Sequence, residues 1–327
     1  MNLTPINEID AKILRDLLKD SRKSFKKIAK EAGVSQDIIW QHYKKMKSQG
    51  IICGSTIQLD YRSLGYNAVG RIIINVEPNQ QYKVSKNIEK IRNVGSVFGV
   101  KNEPEFVAVV ELKTVEEIEE ITYLIKQVPF VTGLKKEIWL GIRSTPDNLS
   151  QLLNTAEKRS VSERRIDQHE NKKQKIKIDK IDKQIIEKLR KNSRLSFRKI
   201  AQEIGVSTDT VSRRYKKMYK NAIIKPLIQI DPTKIGYVAT VFLSVSFISK
   251  QKIANIVEII SQIPDIVLIL KTSGHFDLCL MALVKNIKQM FSIQDELYKI
   301  PGITEMTTKI VKTDPMLPFC CEHISNF

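Results

Sequence analysis

The chain has 327 residues, of which 42% are hydrophobic, and 54 Lys and Arg against 36 Asp and Glu give it a net charge of +18. This length suffices for about two to four small domains with buried cores, and the charge suggests an anionic partner unless it only reflects an AT-rich genome. The longest apolar run, residues 237–248, is too short to span a bilayer. No signal peptide is apparent, and four cysteines in so long a chain do not make a disulfide framework. We therefore expect a reduced, cytoplasmic protein with no membrane partner.

The sequence contains an internal duplication. Residues 9–52 align without a gap to residues 181–224, with 23 identities in 44 positions. After the loss of one residue, IQLD (57–60) pairs with IQID (228–231), and VPFVTGLKKEI (128–138) later pairs with IPGITEMTTKI (300–310). The chain therefore consists of two units of about 140 residues joined by a linker.

The first 50 residues or so of each unit are predicted to be helical. An apolar pattern begins at Ile9, Ser24 can cap a helix that ends before Gly33, and Ser35 can cap another that runs to about residue 49. Residues 51–60 are extended, and the second unit repeats the pattern from 181 to 231. Two helices joined by a glycine-containing turn form the helix-turn-helix pattern, here followed by a wing.

The remainder of each unit alternates strands and helices. Strands are predicted at 66–76, 95–101, 106–113 and 132–142, with helices at 81–92 and 115–127; the second unit has strands at 237–248, 266–272, 276–284 and 303–312, with helices at 250–262 and 286–299. This βαββαβ order is that of a ferredoxin-like sandwich. The predicted fold class is α+β, with two tandem units, each a winged helix-turn-helix domain followed by a ferredoxin-like sandwich. The expected domains are 1–60 and 179–231 (helix-turn-helix), 61–144 and 232–315 (ferredoxin-like), 145–178 (basic linker, by default a solvated one) and 316–327 (tail).

The second helix of each helix-turn-helix has an apolar and a polar face. Ile39, Tyr43 and Met46 share one face, as do Val211, Tyr215 and Met218, and these would anchor the helix to its own core. The other side carries groups that can bond base edges or phosphates of duplex DNA. The candidate DNA-binding residues are Ser35, Gln36, Asp37, Trp40, Gln41, Lys44 and Lys45 in the first unit, and Ser207, Thr208, Asp209, Ser212, Arg213, Arg214, Lys216 and Lys217 in the second.

Some of these candidates have an alternative role. Trp40 can stack on a neighbouring side chain instead of touching DNA. Asp37 and Asp209 lie in the first helical turn, where a carboxylate favours the helix dipole, and we prefer that role to a contact with cytosine. Ser35 and Ser207 stand at helix N-termini, where backbone N–H groups can hold a phosphate.

The charge is concentrated in the two helical segments. Residues 9–60 contain 11 Lys and Arg against 6 acidic residues, and residues 181–231 contain 13 against 5. The sandwich regions 61–143 and 232–327 carry only +2 and +1. A genome-wide bias would not sort charge in this way, so binding to double-stranded DNA is the better explanation. Three-helix segments that serve protein contacts alone are the alternative.

The combined motifs resemble the Lrp/AsnC family, the feast/famine regulators of bacteria and archaea. The resemblance rests on ID..I...L with SR.SF..IA...GVS, on Y.KM....II, on IQ.D...GY, and on the ferredoxin-like half. It implies a transcription regulator whose sandwich (RAM) domain dimerises and binds an amino acid or related small effector. Family members usually carry one unit per chain. Two fused units could form an internal pseudo-dimer, with sandwiches paired sheet to sheet and recognition helices about one DNA turn apart, or could pair between chains as a homo-oligomer.

The segment SGHFDL (273–278) resembles the Gly-x-(Phe/Tyr)-Asp turn of the family. If an effector binds, we expect Gly274, His275 and Asp277 near it. Equally, Gly274 can simply make a hairpin turn that Asp277 caps. The first unit has KNEPEF (101–106) at this place and lacks the glycine turn.

No catalytic, metal-binding or cofactor-binding constellation stands out, so we expect neither an enzyme nor a cofactor. Cys320, Cys321 and His323 lie close together in the tail, but adjacent cysteines without a second pair are a weak metal signal. Siroheme decarboxylases resemble this family and share its architecture, which leaves a tetrapyrrole enzyme as one alternative. An effector-sensing or interaction module without a DNA role is another.

Overall fold

A computed structural model describes residues 5–99, 105–144, 153, 178–248, 253–263, 265–313 and 316–317. The predicted linker, apart from residues 153 and 178, and the Cys320–Cys321–His323 cluster lie outside the described residues. Among the described helices, none is long and apolar enough to cross a membrane.

The elements follow the predicted order in both units. In chain order they are α1 (Glu8–Lys19), α2 (Phe25–Ala32), α3 (Gln36–Ser48), β1 (Ile52–Leu59), a short 3-10 helix (Tyr61–Leu64), β2 (Ala68–Val76), α4 (Gln81–Ile88), β3 (Val94–Gly99), β4 (Glu105–Leu112), α5 (Glu117–Lys126), β5 (Val131–Ser144), α6 (Lys180–Lys191), α7 (Phe197–Ile204), α8 (Thr208–Lys220), β6 (Ile224–Ile230), a second 3-10 helix (Pro232–Ile235), β7 (Ala239–Phe247), α9 (Ile253–Ser261), β8 (Ile266–Thr272), β9 (Leu278–Val284), α10 (Ile287–Tyr298) and β10 (Ile303–Lys312). The α+β fold class with two tandem units is confirmed. The helix predicted at 81–92 is shorter, since it ends at Ile88 and the chain turns through Asn93 at φ +66°.

Local sequence signals set the helix-turn-helix geometry. Ser24 and Ser35 cap α2 and α3 by accepting hydrogen bonds from the backbone N–H groups of Lys27 and Ile38. Between them Gly33 adopts a left-handed conformation at φ +68°, and Gly205 does so at φ +71° in the second unit. A residue with a Cβ is strained there, which explains why glycine stands at both turns.

The two wings pair with each other. β1 and β6 form an antiparallel two-stranded sheet in which Thr56 lies opposite Leu227. The far end of each strand enters the core of the other unit. Ile57 is buried with the residues of α6, α7 and α8, whereas Ile228 and Ile230 are buried with those of α1, α2 and α3. Each helical domain is therefore completed by a strand of the other unit.

The two sandwiches share one eight-stranded sheet, in the order β10-β7-β9-β8-β5-β2-β4-β3. Each half has the ferredoxin-like strand order, and β5 joins β8 antiparallel at the junction. The sheet curls strongly. This is shown by Arg71 on β2, which reaches within 4.0 Å of the Cys279 sulfur on β9, three strands away. Lys309 on β10 likewise forms a 2.5 Å ion pair with Glu105 on β4. The pairing of the units is thus intramolecular, through a strand edge and across the curled sheet.

The second sandwich also packs on the helical domain of the first unit. Met281 and Leu283 on β9 join the hydrophobic core of the first helical domain. The register of the first sandwich places Glu111 on β4 where the second has Leu283. Glu111 is 2% exposed, and its Oε1 has no hydrogen-bond partner among the described residues. Burial raises the pKa of this carboxyl to about 7, although the charge of Arg190 on α6 works in the opposite direction.

We predict that Glu111→Gln changes the pH dependence of stability. Folding raises the pKa of Glu111 from its ordinary value near 4.5 to about 7. The free energy of unfolding should therefore be highest below the unfolded pKa and fall by up to about 1.4 kcal/mol per pH unit as the pH rises through the folded pKa. In the glutamine variant this decrease in the free energy of unfolding should be absent, as measured by urea unfolding at pH 5 and pH 8.

The exposed Glu120 provides the control, because Glu120→Gln removes a carboxyl from the same sandwich without touching the buried site. If wild type and the Glu111 variant lose equal stability between the two pH values, the pKa of Glu111 is not raised by burial in the folded state.

Candidate nucleic-acid interface

The recognition helices α3 and α8 are anchored through equivalent side chains. Ile39 and Met46 are buried in the first unit, and Val211, Tyr215 and Met218 in the second. The ring of Tyr43 lies 5.0 Å from that of Phe25, and the ring of Tyr215 lies 4.9 Å from that of Phe197. The predicted apolar face is thus the inner face, which orients the opposite side of each helix towards solvent.

Most predicted contact residues lie on that outer surface. The exposed ones are Ser35, Gln36, Asp37, Trp40, Gln41, Lys44 and Lys45 in the first unit, and Ser207, Thr208, Asp209, Arg213, Lys216 and Lys217 in the second. Ser212 and Arg214 are half-buried. Nothing in the free protein tests which of these side chains meets DNA, so their assignment stays a prediction.

The N-terminal ends of both helices have satisfied caps and acidic first turns. Ser35 and Ser207 accept hydrogen bonds from the N–H groups of Ile38 and Thr210, respectively. Asp37 and Asp209 follow in the first turn, where they complement the helix dipole. The structure therefore gives the two carboxylates a local role, and the preference for that role over a base contact stays a prediction.

Trp40 stacks on its neighbours and still remains 42% exposed. Its ring lies 5.9 Å from Tyr43 at an interplanar angle of 14° and 5.6 Å from Phe25. The ammonium of Lys44 lies 4.9 Å above the same ring. The stacking interpretation of Trp40 is therefore correct for the free protein, and the exposed edge remains accessible to a partner.

Arg214 points into the protein rather than along the outer face. Its guanidinium lies 3.0 Å from the buried carboxylate of Asp182 and 2.5 Å from that of Asp179, at the start of α6. Hydrogen bonds from the backbone N–H of Asp182 and from Arg214 lower the pKa of Asp179. The equivalent group in the first unit is His42, whose Nδ1 lies 2.8 Å from Asp10. These contacts connect each recognition helix to the first helix of its own domain.

Sequence reasoning missed a second set of arginines. Arg22 and Arg194 follow the first helix of each unit and turn towards the opposite unit, where they lie over the aromatic rings that anchor the recognition helices. The sequence did contain a sign of this role. The Ser-Arg dipeptide is identical at 21–22 and 193–194, although both copies lie outside the helices. Without knowing that the two domains meet at these turns, that identity could not be assigned a role.

The predicted effector residues fall into two separate environments. Asp277 is buried, and its Oδ2 accepts a 2.9 Å hydrogen bond from the N–H of Phe247. His275 is directed outwards, with Nε2 2.9 Å from Glu305 and a side chain that is 73% exposed. Asp277 therefore links the turn to β7, and His275 does not join it; a place for these residues near an effector stays a prediction.

Gly274 lies at the junction of the two sandwiches. A Cβ at this position would stand 3.1 Å from Cγ of Glu137 on β5. The Glu137 carboxylate in turn lies 3.4 Å from the guanidinium of Arg71. Next to the glycine, Ser273 bonds both backbone groups of Ile138. The glycine is thus needed for close contact between the units, and Arg71 and Glu137 are polar groups near the turn that sequence reasoning did not identify.

Within the part of the chain that the structure describes, no group of three or more His, Cys, Asp and Glu side chains could hold a metal ion.

Comparison with known families supports the helical half of each unit and the sandwich half of the second. Residues 6–52 match a winged helix-turn-helix DNA-binding domain, residues 178–219 an AsnC-type helix-turn-helix domain, and residues 240–315 an Lrp/AsnC ligand binding domain. An uncharacterized HTH-type transcriptional regulator of Pyrococcus abyssi is 30% identical over 131 residues, which are 40% of this chain and 87% of that protein. The HTH-type transcriptional regulator FL11 of Pyrococcus horikoshii is 28% identical over 129 residues, covering 39% of this chain and 85% of the relative.

A solved structure shares the tandem architecture. The siroheme decarboxylase NirDL superposes with a TM-score of 0.61 over 94% of this chain and 91% of its own, at 12% sequence identity. At that identity the likeness concerns the fold alone. It shows that two such units occur in one chain in the arrangement seen here.

We predict different effects for the neighbouring substitutions Arg213→Ala and Arg214→Ala. Removing Arg214 leaves the buried carboxylate of Asp182 without its cation, so the free energy of unfolding should fall by about 2 kcal/mol. The exposed Arg213 has no such role, so its removal should change the free energy of unfolding by less than about 0.5 kcal/mol. Urea unfolding at neutral pH measures both, and equal stabilities of the two variants would contradict the structural role of Arg214.

Proposed function

This chain belongs to the Lrp/AsnC family of helix-turn-helix regulators, and we propose that it binds double-stranded DNA through two recognition helices held within one polypeptide. The observation that carries the proposal is the placement of α3 and α8. Both are anchored by an inner aromatic and apolar face, and both present basic side chains to solvent, to which α3 adds the amides of Gln36 and Gln41. Docking of such a helix in the major groove is the usual geometry of this motif.

The outer faces suggest a division of roles. Arg213 can form a bidentate contact with guanine, and Gln41 at the equivalent position can do the same with adenine. Lys44, Lys45, Lys216 and Lys217 lie further along the helices, where ammonium groups can meet phosphates. The exposed helix N-termini at Ser35 and Ser207 can hold a phosphate through backbone N–H groups.

The two recognition helices differ at most of the positions that would face bases. TDTVSRR in α8 stands where α3 has QDIIWQH, although the flanking GVS and YKKM segments are identical. One chain should therefore prefer an imperfect palindrome, with one half-site for each helix. A family member with identical subunits would instead prefer two equal half-sites.

A small effector is proposed for the second sandwich. The Lrp/AsnC ligand binding domain matches residues 240–315, which include Gly274, His275 and Asp277. The turn that holds Gly274 packs against Glu137 of the other sandwich. An effector bound near this turn would therefore alter the contact between the two units. An amino acid that binds there should shift the unfolding temperature of the protein and change its affinity for DNA. If a mixture of the common amino acids changes neither, the effector proposal is wrong while DNA binding stands.

We propose a regulator rather than an enzyme, because the recognition surfaces are basic and the relatives with significant identity carry regulator names. The fold likeness to a siroheme decarboxylase provides a direct test of the alternative. Purified protein mixed with an iron tetrapyrrole should show no saturable shift of the Soret band, whereas stoichiometric uptake would favour the enzyme.

We predict a steep salt dependence of DNA binding. If the four lysines on α3 and α8 each meet a phosphate, affinity should fall about 100-fold between about 50 and about 200 mM salt, through release of counterions. Fluorescence anisotropy with genomic fragments measures this dependence. An affinity that stays flat with salt would rule out the proposed phosphate contacts.

Two sets of substitutions should separate base contacts from phosphate contacts. Arg213→Ala should weaken binding to the selected site more than Gln41→Ala, since a bidentate arginine contributes roughly 1–3 kcal/mol of discrimination. Lys216→Ala and Lys217→Ala should weaken binding to all sequences about equally. Equal losses for Arg213 and Gln41, or lysine losses confined to one sequence, would refute these assignments.

A further inference from the structure

The Ser-Arg dipeptides at 21–22 and 193–194 meet at the centre of the molecule. The hydroxyl oxygens of Ser21 and Ser193 are 2.7 Å apart, and both residues are fully buried. The backbone N–H of Ser21 donates to the carbonyl of Pro226 on β6, and that of Ser193 donates to the carbonyl of Ser55 on β1. These reciprocal contacts place Ser21 and Ser193 on the pseudo-twofold axis that relates the helical domains.

Each arginine crosses this axis to the opposite unit. Arg22 donates from Nη1 to the carbonyl oxygens of Ser193 and Leu195, at 2.5 and 3.0 Å. Its guanidinium lies 4.3 Å from the ring centre of Phe197 and 5.2 Å from that of Tyr215. Tyr215 belongs to α8, so Arg22 of the first unit touches the recognition helix of the second.

The second arginine makes the contacts that the pseudo-twofold axis predicts. Arg194 donates from Nη1 to the carbonyl of Ser21. Its guanidinium lies 4.6 Å from the ring centre of Phe25 and 5.6 Å from that of Tyr43 on α3.

The wing strands connect the two domains as a two-stranded ribbon, a kind of sheet that twists more strongly than larger sheets. The arginines add a contact between each domain and the recognition helix of the other.

The environment of the arginines separates them from the DNA-binding candidates. Burial lowers the pKa of both guanidinium groups. Planar guanidinium suits this position, because it can stack on aromatic rings while its N–H groups bond carbonyl oxygens. A lysine keeps the charge but cannot reproduce both contacts at once. Arginine at both equivalent positions is thus explained by geometry rather than by charge alone.

We infer that Arg22 and Arg194 are positioning residues that fix the relative placement of α3 and α8, and that they thereby set the spacing between DNA half-sites that the protein accepts. This inference rests on the proposed DNA-binding function. The arginines touch no DNA. They act by holding the aromatic anchors of the recognition helices of the opposite unit.

The test uses the full chain and duplexes built from the half-sites that wild type selects from a random pool. One series varies the spacing between the two half-sites, and another duplex carries a single half-site. Wild type should lose affinity at least about tenfold when the spacing changes by about 5 base pairs, half a helical turn. In the double variant Arg22→Lys and Arg194→Lys, that penalty should fall below about threefold, while affinity for the single half-site stays within about twofold of wild type. Both factors correspond to well under the roughly 1.4 kcal/mol of a tenfold change in affinity.

The exposed Arg198 at the start of α7 provides a matched control, since Arg198→Lys should leave the spacing penalty unchanged. A double variant that keeps the tenfold penalty would overturn the inference. So would a parallel loss of affinity for the single half-site, because that pattern indicates damage to the recognition helices or a direct DNA contact.

A second measurement needs no DNA and separates failure of this inference from failure of the proposed function. Spin labels at the equivalent positions Gln41 and Arg213, in a chain with Cys53, Cys320 and Cys321 changed to serine, report the distance between α3 and α8. The distance distribution should be narrow with both arginines present and broader in the double lysine variant. Identical distributions would show that the arginines do not position the helices.

Discussion

Each helical domain of this protein depends on the other for a complete hydrophobic core. Ile57 leaves the first unit to be buried among the helices of the second, and Ile228 and Ile230 make the reverse exchange. Burial of one such side chain is worth roughly 1.5–3 kcal/mol, so separating the domains would expose apolar surface on both sides of the paired wings. Pairing of the two helical domains is therefore a condition of folding, and the sandwiches extend it through the β5–β8 junction.

The duplication allows the two halves of a symmetric scaffold to differ. Elements that hold the domains together are repeated, such as the Ser-Arg dipeptide and the aromatic pairs Phe25–Tyr43 and Phe197–Tyr215. Groups away from the axis have diverged, as Glu111 opposite Leu283 and His42 opposite Arg214 show. Identical subunits could not vary in this way, because each substitution would appear twice. A fused chain can thus combine unlike recognition helices with a fixed relative placement.

The sequence predicted the elements well because their signals are local. The helix-turn-helix is determined by glycine at 33 and 205 and by the serine caps, and the sandwich by strands with matching patterns in both units. The contacts between units were beyond such reasoning, since neither the exchange of β1 and β6 nor the crossing of Arg22 and Arg194 has a periodic signal. For the same reason Arg214 was grouped with the exposed residues of its helix, whereas Asp182 of α6 and Asp179, which caps that helix, hold it inwards. The identities of the DNA-contacting residues stay predictions.

Both helical domains of one chain meet at Ser21 and Ser193, whose hydroxyl oxygens are 2.7 Å apart. Cysteines at these positions should lie close enough for a disulfide. We would oxidise the Ser21→Cys, Ser193→Cys chain, with Cys53, Cys320 and Cys321 changed to serine, and measure its mass and free thiols. We expect a disulfide within a single chain, formed in high yield without denaturant, and one remaining thiol from the buried Cys279. Disulfide-linked dimers, or free thiols beyond that of Cys279, would contradict this placement.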